Sequence, residues 1–228
     1  VVQKQTLLEG LRALPGDERL LRSLALLLEQ EGAWRELLDM ILEQLPQLPR
    51  GSPLEAHACY LGGKAALELG ELRQALALSG RSVQMQPNIW YVQHIHGRVL
   101  ARLGRRLEAL QAQQRCAELA PAFPWCWFEI GQLQLAQAQV TAAREAFERA
   151  LRLQEERDPA GTSLFRQALE GVENQARLAE RQGAALALWP QRPPPGPGER
   201  LPALDELALA VEQFRRFLDQ HERRIGAG

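Results

Sequence analysis

The sequence predicts an all-α protein, a right-handed α-solenoid of paired helices, on three observations. A glycine returns every 34 residues, at Gly63, Gly97 and Gly131, and Ala75, Ala109 and Ala143 keep the same step. A fixed period of this length marks stacked units, none of which can bury its apolar face alone. Apolar residues recur at three and four along nearly every segment, with little β-branched alternation, which is the signal of helix. Glycine and proline punctuate the pattern: Gly70 and Gly104 suit the left-handed turn after one helix, and Pro87 and Pro121 stop the next.

The elements follow in order. Residues 1–17 read as the second helix of a unit whose first helix is missing, closed by Pro15. A unit near 18–55 turns at Gly32 and closes at Pro49, with about four residues inserted around Gly51-Ser52-Pro53. Ser52–Glu55 reads as a loop, so the next unit, near 56–89, begins at Ala56, turns at Gly70 and closes at Pro87. Units near 90–123 and 124–157 follow, turning at Gly104 and near Ala138–Gln139. Gly63, Gly97 and Gly131 sit mid-helix, where glycine costs roughly 1 kcal/mol against alanine. A close helix crossing offsets that cost, with Ala75, Ala109 and Ala143 as the expected facing residues.

Residues 158–188 read as a capping helix, with Thr162 as its cap and an apolar face of Leu164, Phe165, Ala168, Leu169, Val172 and Ala176. Solenoid ends need such a two-faced helix. Residues 189–202, including Pro193-Pro194-Pro195, read as a stiff Pro-rich linker. Residues 203–228 read as an amphipathic helix with a heptad-like stripe through Leu204, Leu207, Val211, Phe214 and Leu218. Its apolar stripe needs burial, by docking on the array (the favoured expectation), by self-association through 203–225, or on a neighbouring domain.

The 34-residue unit resembles the tetratricopeptide repeat, whose pattern places Trp, Leu-Gly, Tyr, Ala, Phe and Pro at fixed offsets. The unit at 124–157 carries it best, in Trp127, Ile130, Gly131, Ala143, Phe147 and Ala150. The unit before it has Gly97, Leu100, Ala109, Cys116 and Pro121, but Gln93 and Gln113 at aromatic sites. The unit at 56–89 has Gly63, Ala75, Ser82 and Pro87, and the one at 18–55 departs at Leu37 and Gln44. The resemblance covers about residues 1–157. It implies a groove lined by the first helices, and so a peptide or helix as ligand. Carried onto this chain, the groove residues are Tyr60, Lys64, Tyr91, His94, Ile95, Arg98, Trp125, Phe128, Glu129 and Gln132. That list is aromatic, with a basic spot at Lys64 and Arg98, and aromatic and arginine side chains are the usual anchors of binding. The Lys/Asn set with which chaperone-binding members of the family grip a C-terminal carboxylate is absent: the matching positions hold Tyr60, Lys64, Ile95, Trp125 and Glu129.

Composition narrows the function classes. The 228 residues are 46% hydrophobic and carry a net charge of −1, so no bulk attraction to nucleic acid is expected. No apolar run is long enough for membrane insertion. Cys59, Cys116 and Cys126 are too few and too scattered for a disulfide framework, which fits a reducing, cytoplasmic location. His94-Ile95-His96 resembles a metal pair, but neighbours two apart on a helix point about 200° apart. No catalytic or nucleotide motif occurs, no cofactor is implied, and carboxylates such as Glu145 and Glu148 sit beside Arg144, Arg149 and Arg152 at ion-pair spacing.

The sequence therefore predicts a non-catalytic protein-protein interaction scaffold. The chain lacks an initiator Met and opens within a helical pattern, which suggests a piece of something longer. The alternative is accordingly the recruiting arm of a modular enzyme, such as a glycosyl- or sulfotransferase.

Overall fold

The structure, a computed structural model, describes residues 2–188; the side chains of residues 2, 3, 179 and 181–188 are excepted. The linker expected at 189–202 and the amphipathic helix expected at 203–228, with its docking or self-association, lie outside the described residues. By contact the described residues fall into two units, divided after Ala168.

Every regular element among the described residues is helical. In order these are α1 (Val2–Ala13), α2 (Glu18–Glu31), α3 (Trp34–Gln44), α4 (Pro53–Glu68), α5 (Leu72–Met85), α6 (Trp90–Arg102), α7 (Arg106–Leu119), α8 (Pro124–Leu135), α9 (Val140–Arg157) and α10 (Ser163–Leu188). Short 3-10 turns stand at Leu45–Gln47 and Pro159–Thr162.

Four helix pairs, α2/α3, α4/α5, α6/α7 and α8/α9, are joined by the same turn. One residue takes positive φ: Gly32 (65°), Gly70 (76°), Gly104 (75°) and Ala138 (58°). Its amide reaches three residues back and the next amide reaches five back, as in Gly104 to Ala101 (3.0 Å) and Arg105 to Leu100 (2.9 Å). This double bond satisfies the helix's last carbonyls. Ala138 does it without glycine's freedom, at a cost of about 1 kcal/mol.

The mid-helix glycines answer to a contact other than the expected one. A Cβ on Gly97 would lie 2.7 Å from the Gln113 amide, one on Gly131 2.8 Å from the Phe147 ring, and one on Gly63 3.1 Å from the Ser79 backbone. Ala75, Ala109 and Ala143 are fully buried, but the residue facing each glycine stands four further along the second helix.

A second correction concerns α4, which begins at Pro53 rather than Ala56. Ser52 caps it by accepting from the Glu55 amide at 3.1 Å. The Glu55 carboxylate, 1% exposed, accepts from the Gly51 amide and from Arg81. Ser followed three residues later by Glu is a helix start rather than a loop.

The first unit's largest core runs through Leu21, Leu24, Leu28, Leu37, Leu38 and Ile41 into Cys59, Ala65 and Ala66, and on to Ile95 and Val99. The turn before α10 departs from expectation as well. Asp158 accepts from the Ala160 amide at 3.1 Å, while Thr162 is buried and donates to the Pro159 carbonyl at 3.1 Å. Phe165 is 1% exposed, whereas Leu164 is 45% exposed and so lies off the buried face. In the second unit, the part of α10 after residue 168 carries a Glu173–Arg177 pair one turn apart, at 3.7 Å.

Candidate functional site

The first helices of successive pairs, α2, α4, α6 and α8, line two adjoining pockets of ≈ 410 and ≈ 420 Å³. Both use Tyr60, Trp90 and Tyr91. Tyr60, Lys64, Tyr91, His94, Ile95, Arg98, Trp125 and Glu129 all line the second pocket. Phe128 and Gln132 do not. Phe128 is 5% exposed and turns inward, with ring centroids 5.5 Å from Phe147 and 5.3 Å from Phe165. Gln132 lies on the exposed surface outside both pockets. Trp125 divides its ring between two roles: it is 37% exposed to the groove and stands 4.9 Å from Phe165.

The aromatic lining is continuous. Tyr60 meets Tyr91 edge-on at 4.7 Å, Tyr91 meets Trp90 at 5.6 Å, Trp90 meets Phe123 at 4.5 Å, and Phe123 meets His94 at 5.3 Å. Edge-on contacts at these separations hold each ring in place. Trp90 and Phe123 were missed in the sequence because they flank the helix starts, outside the positions carried over from the resemblance. The signal that could have found them is local: Trp90 opens α6, and Phe123 immediately precedes Pro124 at the start of α8.

The cations of the groove are already paired, which corrects the expected basic spot. Lys64 donates to Glu29 of α2 at 2.9 Å. Arg98 stands 3.3 Å from Glu68 of α4 and 3.6 Å from Glu129 of α8. Each pair ties one helix pair to the next, so little positive charge is left to attract an acidic ligand. Burial pushes the Glu129 carboxyl above its usual range, against the opposing pull of Arg98 and Arg102. Burial likewise pushes the Tyr60 phenol up to about 12.

His94 sits at the bottom of this lining. Its Nδ1 is 3.0 Å from the amide oxygen of Gln113, and the Gln113 amide nitrogen donates to the His94 carbonyl at 3.0 Å. Burial pushes the imidazole down to about 4, against this hydrogen bond, so it is neutral at pH 7. His96 points elsewhere, its Nδ1 3.0 Å from Ser79 Oγ, and the two histidines share no site. Cys116, near the end of α7, is bonded to Cys126 in the first turn of α8, their Cα atoms 6.2 Å apart. The cysteines are thus not too scattered to pair, and they no longer argue for a reducing compartment. Cys59 is free and buried, and burial pushes its thiol up to about 11.

No helix among the described residues is long and apolar enough to cross a membrane. Residues 126–157 match the tetratricopeptide repeat family. No curated protein matches the sequence. Among solved structures, MamA from Desulfovibrio magneticus RS-1 (residues 41 to the end) superposes with a TM-score of 0.59 at 20% identity, over 72% of this chain and 88% of that one. YrrB, described as a TPR protein with an unusual peptide-binding site, gives 0.58 at 18% identity, over 75% and 81%. The first TPR of Spaghetti (RPAP3), bound to the HSP90 peptide SRMEEVD, gives 0.51 at 14% identity, over 55% and 96%. Residues 126–157 thus carry a direct tetratricopeptide-repeat match, and the chain shares its helical-repeat fold with tetratricopeptide proteins of known structure.

Proposed function

We propose that this chain is a non-catalytic interaction module whose groove along α4, α6 and α8 holds a peptide or helix by large apolar side chains. The observation that carries the reading is the unbroken run of rings through Tyr60, Tyr91, Trp90 and Phe123, with Trp125 beside it in an open pocket of ≈ 420 Å³. Rigid aromatic rings bury much area at little entropic cost, and they are the anchors that dominate interfaces. The bound HSP90 peptide in the Spaghetti structure and the peptide-binding site ascribed to YrrB support a peptide as the class of ligand.

The electrostatics separate this groove from one built for a carboxylate. Lys64 and Arg98 have carboxylate partners of their own, so an acidic ligand must displace Glu29, Glu68 or Glu129 to reach them. Affinity should then depend weakly on salt, since few free charges meet across the interface.

Selection of displayed random peptides on the full chain tests the reading. Enriched peptides should carry two or more large apolar side chains. Tyr91→Ala should weaken them at least about tenfold, as loss of one anchor does, with the melting temperature close to wild type. Peptides that bind Tyr91→Ala as well as wild type would place the binding surface elsewhere.

A further inference from the structure

Three chemically soft donors meet where α6, α7 and α8 come together. The Sγ atoms of Cys116 and Cys126 and a ring nitrogen of His94 all lie within 4.8 Å of one another. Both cysteines are fully buried, and His94 also faces the groove. We infer that, once the Cys116–Cys126 bond is reduced, the two thiolates and the His94 imidazole form a site for one thiophilic divalent cation of the zinc kind.

The donor set and spacing suit such an ion. Two sulphurs each ~2.3 Å from a tetrahedral zinc stand ~3.8 Å apart, so after reduction the two cysteine side chains rotate apart to admit the ion between them. Two thiolates and a divalent cation sum to zero charge, which a buried site requires. A monovalent ion would leave a net negative charge there. Thiolate and imidazole donors select zinc over calcium or magnesium, which take oxygen. Three protein donors would leave the ion one tetrahedral position, and one of those donors, His94, borders the groove.

Gln113 already holds the histidine in place. Gln113 donates its amide N–H to the His94 carbonyl, so its oxygen is the atom turned toward His94 Nδ1. An amide oxygen can only accept, and Nδ1 therefore carries the imidazole hydrogen, leaving Nε2 with the lone pair a metal needs. Metal-binding histidines are commonly oriented in this way by a partner on the other nitrogen. Gln113 is 0% exposed and occupies a site where the tetratricopeptide pattern has an aromatic residue, so its polarity calls for a reason, and the His94 clamp supplies one.

Disulfide and metal are alternative states of one site. A phosphine reduces the S–S bond by giving two electrons and becoming its oxide, while one water supplies that oxygen and the two protons of the new thiols; the cation then binds as those two protons leave.

The test is an anaerobic titration of the full chain with cobalt(II), before and after phosphine reduction. The reduced chain should develop a thiolate-to-cobalt charge-transfer band that saturates at about one equivalent and is abolished by excess zinc. The oxidised chain, folded and identical in sequence, should show no band. His94→Gln should weaken cobalt by about tenfold or more, and Cys126→Ser should remove the band. No band after reduction, an equal band in the oxidised chain, or an unchanged affinity in His94→Gln would each overturn the site and leave a disulfide only.

Discussion

The α6/α7 and α8/α9 pairs share one backbone plan and fill it with opposite chemistry. Opposite Gly131 stands the Phe147 ring, packed against Phe128. Opposite Gly97 stands Gln113, which spends its amide on His94. The same substitution recurs at the helix starts. Trp127 donates its indole N–H to the Pro121 carbonyl at 3.1 Å, and Gln93 donates its amide to the Pro87 carbonyl at 2.7 Å. Each hydrogen bond spans six residues, so glutamine reproduces the reach of tryptophan's N–H without its ring. The repeat thus specifies volume and donor position, and leaves polarity free. Where polarity entered, it brought a half-buried histidine.

The largest test of this contrast is truncation. Phe147→Ala should cost about 3–5 kcal/mol in chemical denaturation, as loss of a buried ring does. Gln113→Ala should cost about 1–3 kcal/mol, set by the unsatisfied His94 nitrogen rather than by lost apolar contact. Equal costs would mean that the two pairs are held in the same way.

Acid sharpens the comparison. His94 titrates near 4 when folded and at its ordinary 6.5 when unfolded. Between these values the unfolded chain binds the extra proton, so stability falls as pH drops from 6.5 to about 4 and is fully retained above 6.5. The loss attributable to His94 reaches roughly 3 kcal/mol at the acid end. His57 and His96 are also pushed down by burial and add to the slope. Melting curves of wild type and His94→Gln across this window should therefore converge on acidification, and parallel curves would remove His94 from the account.

The smallest effect lies at the turns. Ala138→Gly should relieve the positive φ and raise stability by about 1 kcal/mol, or about 2–4 °C in melting temperature. Gly104→Ala should lower it by a similar amount. A stabilising effect at both positions would contradict the shared turn geometry.

The fold was legible because its signals are local and periodic. The step from Gly63 to Gly131 set the register, and Gly70 and Gly104 marked the turns. Ala138 showed that the turn survives a residue which gives no such signal. The tetratricopeptide resemblance, laid on that register, pointed to eight of the residues that line the second pocket. What did not follow depended on neighbours far along the chain. Arg98 looks like a free cation until Glu68 and Glu129, 30 and 31 residues away, are placed beside it. Phe128 points inward because Phe165 and Phe147 wait there. Cys116 and Cys126 meet only because the turn before Pro124 folds α8 back along α7.

That last contact has a mechanical consequence. A stack of helix pairs behaves as a spring whose joints each bear the same load when the ends are pulled. A covalent link between the end of α7 and the start of α8, closing only 10 residues of sequence, takes one joint out of the series. Under tension, extension would concentrate at the α3–α4 and α5–α6 joints, and the bottom of the groove around His94 would keep its shape while its rim at Glu29 and Lys64 opened. Oxidation state would then set the stiffness of the array as well as the chemistry beside His94.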